Sequence, residues 1–310
     1  MRVLIAGASG LIGTELAHAL VADGVGVGAL VRDAARAAQV LPARATLYPW
    51  DAVKGPPPAA AFDGVDAVVN LIGEPIAARR WSDDRKKVLK DSRIVATRGL
   101  VNELRGLSRR PAVLVAASAV GYYGDRGDEI LTESSSPGTG FLAELARDWE
   151  AESARAGELG VRLVALRNGA VLSPKGGMLR KILPLFRLGL GGRLGAGSQW
   201  FPWIHIDDEV ALIRHAIAEP RAVGALNAVA PEPVTNRELT VALGEALARP
   251  AALAAPAFAL RAALGGMAEA VLLGSQRVMP ARTLETGFKF RHPLLRGALK
   301  DLLGAQKKAA

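Results

Sequence analysis

The sequence predicts an α/β protein: a doubly wound parallel sheet with a smaller, interleaved C-terminal substrate lobe. Three observations carry this expectation. Short apolar runs alternate with amphipathic stretches from the N-terminus to Leu166. A glycine-spaced turn, Gly7-Ala8-Ser9-Gly10-Leu11-Ile12-Gly13, joins the first apolar run to the first amphipathic stretch. Beyond Leu166 the texture changes to a glycine-rich segment that holds Trp200 and Trp203.

Residues 3–6 are apolar and end at glycine, 11–21 have helical spacing, and 25–31 are apolar again, which reads as strand, helix, strand. Residues 65–72, 113–117 and 161–166 lack polar alternation, as strands covered on both faces do. Between them, 84–107 and 141–157 have helical spacing, with Val88, Ile94, Val95 and Leu104 available to a core. Strands that alternate with helices need right-handed crossovers, and hence a parallel sheet. The expected division puts 1–166 in a nucleotide-binding domain, to which 204–229 return through a helix (207–218) and a strand (226–229). Residues 167–203 and 230–310 are expected to form the substrate-facing lobe, with helices at 237–248 and 257–273, a strand at 288–290 and a last helix at 294–303. The proline run 56–58 is a surface connection, and there is no internal repeat.

Composition narrows the function classes. Half of the 310 residues are hydrophobic, enough for a large core. The chain contains no cysteine, which excludes disulfides, thiolate metal sites and a cysteine nucleophile. The net charge of +9 raises the question of nucleic acid, but the basic residues, Lys307 and Lys308 included, are scattered among acids and no run of five or six like charges occurs. Fixed glycine spacing in the first apolar segment argues against a signal peptide. Pro256, Arg261 and Glu269 interrupt the apolar stretch 251–274, which argues against a membrane span. A cytoplasmic protein is therefore expected, with a small-molecule substrate, no nucleic-acid or membrane partner, and a homodimer as the assembly left open. The histidines at 18, 205, 215 and 292 lack ligand spacing, so no metal is expected.

The glycine turn is the strongest motif. A strand-to-helix turn this tight needs residues without Cβ where backbone approaches a pyrophosphate, and the helix start offers free N–H groups and a positive dipole. Dinucleotide binding through Gly7, Ser9, Gly10, Leu11, Ile12 and Gly13 is expected. At the end of the second strand, where a carboxylate would accept from a ribose 2′-OH, stands Arg32, which suits a 2′-phosphate and hence NADP(H). Arg36 stands one turn further on, while Asp33 speaks for the opposite choice. Asp51, Leu71 and Gly73 are expected along the adenine and ribose.

GASGLIG, NLIGEPI at 70–76, ASAVGYYG at 117–124 and WIHIDDEVA at 203–211 together resemble the extended short-chain dehydrogenase/reductase superfamily. The stretches GEPIAARRWSDDRKKVLKDSRIVATRGLV, GGMLRKILPLFRLGLGGRLGAGSQWFPWIHIDD and ETGFKFRHP are similar to its atypical, NAD-dependent epimerase/dehydratase-like branch, and the resemblance covers nearly the whole chain. It implies a Rossmann nucleotide domain, an interleaved smaller lobe, NADP(H), and oxidoreductase or epimerase chemistry on an undefined small molecule. Superfamily members usually carry Tyr-x-x-x-Lys, whose ammonium lowers the tyrosine pKa. Here the tyrosines are Tyr48, Tyr122 and Tyr123, and four residues past them stand Ala52, Arg126 and Gly127. A non-catalytic NADP(H)-binding or sensing protein is therefore the alternative.

Ser118 matches the superfamily serine that bonds a substrate oxygen. Tyr122 or Tyr123 would supply a proton, or else one packs and the other caps the loop. Arg93 would hold a phosphate or acidic substrate group, or form a helix-surface ion pair. Gln199, Trp200, Trp203 and His205 are expected to line the substrate site, His205 having a structural alternative in tying the returning chain to the sheet.

Overall fold

A computed structural model describes residues 1–307, so Lys308 lies outside the described residues. The first part of the chain runs β1 (Arg2–Ala6), α1 (Leu11–Ala22), β2 (Gly26–Val31), α2 (Ala34–Ala38), β3 (Thr46–Pro49), β4 (Ala67–Asn70), α3 (Asp83–Gly106) and β5 (Val113–Ala119). It continues through β6 (Ile130–Leu131), α4 (Phe141–Ala154), β7 (Arg162–Asn168), β8 (Ala170–Leu172), α5 (Gly177–Arg187), β9 (Trp200–Phe201), β10 (Trp203–His205), α6 (Ile206–Ala218) and β11 (Gly224–Ala228). The remainder holds β12 (Val234–Thr235), α7 (Asn236–Leu247), α8 (Ala257–Leu264), β13 (Arg277–Val278), α9 (Ala281–Glu285) and α10 (Leu295–Lys307).

Seven strands form one parallel sheet in the order β11-β7-β5-β4-β1-β2-β3. The doubly wound parallel sheet expected from the sequence is thus the observed one. Side chains of β1 alternate between two core layers: Val3 and Ile5 pack with Leu16, Leu20 and Ile213 of α1 and α6, whereas Leu4 packs with Leu100 and Leu104 of α3. This period of two explains why these strands read as unbroken apolar runs, since both faces are covered. Strand order reverses at β1, whose neighbours are β2 on one side and β4 on the other, the position at which open α/β sheets form a crevice at their carboxyl edge.

The later chain departs from expectation in two places. Residues 288–290 are not a strand: Phe288 and Phe290 meet edge to face at 4.9 Å, and aromatic packing produced the alternation that read as β. The helix expected over 257–273 is broken, because α8 ends at Gly265 with φ +60 and one wider helical turn, Ala268–Leu273, follows. Three short ladders, β8 with β10, β9 with β12 and β6 with β13, form separate two-stranded sheets outside the main one. Two or three residues per strand carry too little periodicity to be read from sequence.

Buried polar groups tie the ends together. Asp208 of α6 accepts the amides of Arg291 and His292 at 2.7 and 2.9 Å, holding the segment before α10. Arg162 donates to the carbonyls of Ala216, Ile217 and Ala222 and so caps the end of α6. Among the described residues Glu209 has no partner for either carboxylate oxygen, and burial pushes its pKa from the ordinary 4.5 up to about 8. The folded state therefore keeps its proton while the unfolded chain loses it, and stability falls as pH rises from 4.5 towards about 8. In urea unfolding followed across that range, Glu209→Gln removes this decline; an unchanged slope would assign it to another group.

Candidate functional site

The turn after β1 is closely packed. Gly7 has φ +81, and a Cβ on it would fall 2.9 Å from the Leu71 carbonyl at the end of β4. A Cβ on Gly13 would stand 2.5 Å from the Gly7 oxygen, so a side chain at Gly13 would push α1 away from the turn, and one at Gly7 would push the turn away from the end of β4. Gly10 N–H donates to the Gly7 carbonyl at 3.1 Å, which closes the turn. No side chain caps α1, and no acid occupies its first turn. The amides of Leu11, Ile12 and Gly13 thus face the crevice at β1 without a protein anion, and the residues present fit a dinucleotide pyrophosphate.

Around this turn the sequence-derived residues take unequal positions. Arg32, at the end of β2, is largely exposed and donates to Glu74 Oε1 at 3.1 Å. Asp33 accepts the Arg36 amide and caps α2, which takes its carboxylate out of competition for a ribose. Asp51 is committed locally as well: it pairs with Lys54 at 3.1 Å, and that contact holds its carboxyl below the usual range. Arg93 is not the helix-surface ion pair of the second sequence alternative. It is buried, its Nη1 and Nη2 donate to the carbonyls of Leu89 and Glu74 at 3.0 Å, and the guanidinium lies 5.2 Å over the Trp149 ring. Burial lowers its pKa to about 10, so it remains charged near neutrality. A Cβ on Gly73 would fall 2.9 Å from this guanidinium, so Arg93 packs against the loop after β4 and does not pair at the surface.

A second polar cluster lies at the carboxyl ends of β5 and β7. Ser118, ending β5, is nearly buried and donates to Glu150 Oε1 at 2.6 Å. Glu150 comes from α4 and accepts Arg167 of β7 through two contacts of 2.9 Å. The same guanidinium donates to the Tyr123 hydroxyl at 3.0 Å and lies 3.5 Å over the Tyr122 ring. Tyr123 is fully buried and donates to Asn227 Oδ1 at 2.7 Å; burial pushes its pKa to about 12 despite the adjacent cation. It therefore takes the packing alternative and cannot serve as a base near neutrality. Glu133 completes the cluster by accepting the Asn227 amide at 2.9 Å and the Arg282 amide at 3.1 Å. Sequence reasoning missed Glu150, Arg167, Asn227 and Glu133. Arg167 did leave a signal: a charge at the end of an apolar run must find a buried counter-charge.

The expected substrate residues do not converge. Gln199 spends its amide on the carbonyls of Leu194 and Leu272. Trp200 donates to Asp128 at 2.8 Å and carries Arg277 4.6 Å over its ring. Trp203 and His205 are each only 1% exposed and belong to the interior, which corrects their placement on a cleft wall. His205 takes its structural alternative: Nδ1 accepts the Asp207 amide at 3.0 Å and caps α6, while the ring stacks on His292 at 3.8 Å. Burial, and then His292, lower its pKa. Asp207 and Asp301 bring ligand-type atoms within 4.8 Å of these imidazoles, a grouping that spacing alone did not reveal. Because Nδ1 is an acceptor, Nε2 carries the proton and faces Asp301 at 3.4 Å; with the planes stacked 19° apart, the two rings do not aim at one point.

Among the described residues no helix is long and apolar enough to cross a membrane. The model of the NAD dependent epimerase/dehydratase family matches residues 3–229, and that of a domain of unknown function matches 255–302. An epimerase family protein of Mycobacterium bovis is 46% identical over 297 residues, covering 96% of each chain. The crystal structure of human epimerase family protein SDR39U1 (isoform 2) with NADPH is similar at TM-score 0.87 and 35% identity, over 98% of this chain and 99% of that one. A UDP-glucose 4-epimerase of Thermotoga maritima shares the fold at TM-score 0.81 and 16% identity, covering 100% of each chain.

In an ultraviolet pH titration of the folded protein one phenol ionises at about 12, and Tyr123→Phe abolishes that step. Since the raised pKa favours the neutral folded form, stability falls between the unfolded-chain value of about 10 and about 12. Absence of a step near 12 from the wild-type titration would place the Tyr123 phenol in solvent contact.

Proposed function

The chain belongs to the NAD dependent epimerase/dehydratase family, and from that premise we propose that it is an NADP(H)-dependent oxidoreductase or epimerase of the extended short-chain type, acting on a small molecule. The observation that carries the reading is the cradle between β1 and α1, where Gly7 and Gly13 leave no room for a Cβ and the first amides of α1 face the crevice. Gly7, Ser9, Gly10, Leu11, Ile12 and Gly13 hold the pyrophosphate, and Arg32 takes the 2′-phosphate. Leu71, Gly73 and Asp51 border the adenosine. The human relative crystallised with NADPH supports the choice of coenzyme. When bound, the nicotinamide supplies a hydride acceptor or donor at carbon.

The chain supplies the proton route. Ser118 commits its hydroxyl hydrogen to Glu150 and is left with lone pairs, so what it holds best is a donor, a substrate hydroxyl. As such a hydroxyl loses its proton to Ser118 Oγ, the serine proton passes to Glu150, and the reverse transfers serve reduction of a carbonyl. Arg167 fixes the Glu150 carboxylate through both oxygens and sets the direction in which Ser118 donates. Residues 167–203 and, among the described residues, 230–307 form the lobe that faces the substrate. A second reading, an NADP(H)-binding or sensing protein without turnover, is favoured by the lack of Tyr-x-x-x-Lys and by the buried state of Tyr123.

Calorimetric titration separates these readings. NADPH binds more tightly than NADH by about tenfold or more, ~1.4 kcal/mol, and Arg32→Glu removes that difference; equal losses for both coenzymes would exclude the 2′-phosphate role. Against a panel of carbonyl compounds, Ser118→Ala and Glu150→Gln lower NADPH oxidation by roughly 10²-fold or more while leaving NADPH affinity intact. Absence of turnover throughout, with binding retained, selects the sensing protein.

A further inference from the structure

Glu74 follows Gly73 on the loop that leaves β4, and each of its polar groups is engaged. Its N–H donates to Ser92 Oγ at 3.1 Å, and its carbonyl accepts from Arg93 Nη2 at 3.0 Å. Carboxylate Oε2 accepts from Arg85 Nη1 at 3.4 Å, and Oε1 from Arg32 Nη1 at 3.1 Å. Arg85 is itself buried and donates to the Pro75 carbonyl at 2.6 Å. Three residues of α3 thus clamp Glu74 from one side, and Arg32 meets it from the other. Because the sheet order places β4 and β2 on either side of β1, the ion pair spans the crevice above the Gly7–Gly13 turn.

We propose that Glu74 is a specificity-determining residue for the coenzyme: it occupies Arg32 in the free protein, and its charge competes with the 2′-phosphate of NADP(H) for that guanidinium. This rests on the NADP(H) reading above. The two arms of the carboxylate differ in burial. The Arg32 side chain is 73% exposed and that of Arg85 only 4%. An exposed pair is weak and readily exchanged, whereas the buried contact keeps Glu74 in place after Arg32 turns to another anion. A 2′-phosphate that recruits Arg32 therefore meets a fixed carboxylate nearby, and part of the attraction is cancelled. NADH carries a hydroxyl at this position, gives Arg32 no reason to leave Glu74, and is largely indifferent to the exchange. Glu74 in this way caps the affinity for NADP(H) and keeps the bound coenzyme exchangeable.

The test is a titration of wild type and Glu74→Gln with NADPH and NADH, each also in an Arg32→Ala background. Glutamine keeps the backbone bonds to Ser92 and Arg93 and removes the charge. Expected is an NADPH Kd lower by about fivefold, ~1 kcal/mol, with NADH changed less than about twofold and both effects lost with Arg32. A second variant, Glu74→Asp, retains an anion for Arg85 while drawing it back from Arg32, and gives a smaller tightening in the same direction. Weaker NADPH binding in these variants would make Glu74 a device that pre-positions Arg32, and equal changes for both coenzymes would make it a loop anchor; either outcome overturns the proposal. Failure of the underlying reading looks different, since the wild-type protein would then show no preference for NADPH at all.

Discussion

The ion pair between Arg167 and Glu150 is the interaction on which the carboxyl edge of the sheet depends. Arg167 is only 4% exposed, and a charge that deep must be matched by an opposite charge and by acceptors for its remaining hydrogens. Glu150 takes two of its donors, while the Tyr123 hydroxyl and the Glu133 carbonyl share a third. Through these partners one guanidinium gathers α4, β5, β7 and the segment after β5. Asn227 extends the gathering to β11 and, by donating to the Met279 carbonyl at 2.9 Å, to the approach to α9. Removing one member of such a pair leaves an uncompensated buried charge, which typically costs ~3–5 kcal/mol. The same bonds that place Ser118 therefore also join the later chain to the sheet.

At the other end of the crevice a different cation does comparable work. Arg93 is held below the α3 surface against Trp149, and its contact with the Glu74 carbonyl shapes the loop after β4. Gly73 lies directly against this guanidinium, which a Cβ there would have to displace. Asn70 and Trp149 both donate to the Thr97 hydroxyl at 2.9 Å, so that the end of β4, α3 and α4 share one buried acceptor. The coenzyme edge and the Ser118 edge are thus linked through α3 and α4 by hydrogen bonds.

What the sequence disclosed follows from the range of each interaction. The apolar runs at 3–6, 65–72 and 113–117 were legible because a strand buried on both faces must be apolar throughout, a local property. The glycine turn was legible because the absence of Cβ at Gly7 and Gly13 is itself the requirement. Arg32 could be placed at the strand end but not paired, since Glu74 lies 42 positions away. The Arg167 network was invisible for the same reason: Tyr123 and Asn227 are 104 positions apart and only the fold brings them to 2.7 Å. His205 was attached to the substrate site by its motif, whereas its ring belongs with His292, an association that spacing cannot encode. Residues 288–290 misled because aromatic packing and strand pairing both favour alternation.

The contrast between Tyr123 and Ser118 shows how one cation can silence one hydroxyl and orient another. Both groups lie within two bonds of Arg167. Tyr123 receives an Arg167 hydrogen and gives its own to Asn227, a neutral acceptor, and burial keeps the phenol protonated up to about 12. Ser118 gives its hydrogen to a carboxylate that Arg167 holds, so the serine hydrogen has an anionic destination and the serine oxygen faces away from it with its lone pairs. On the proposed route a proton arriving at Ser118 moves on to Glu150, whereas the Tyr123 hydroxyl already donates to Asn227 and accepts from Arg167. On the proposed route the transferable proton belongs to the serine because of the charge of its acceptor, without any lowering of a tyrosine pKa.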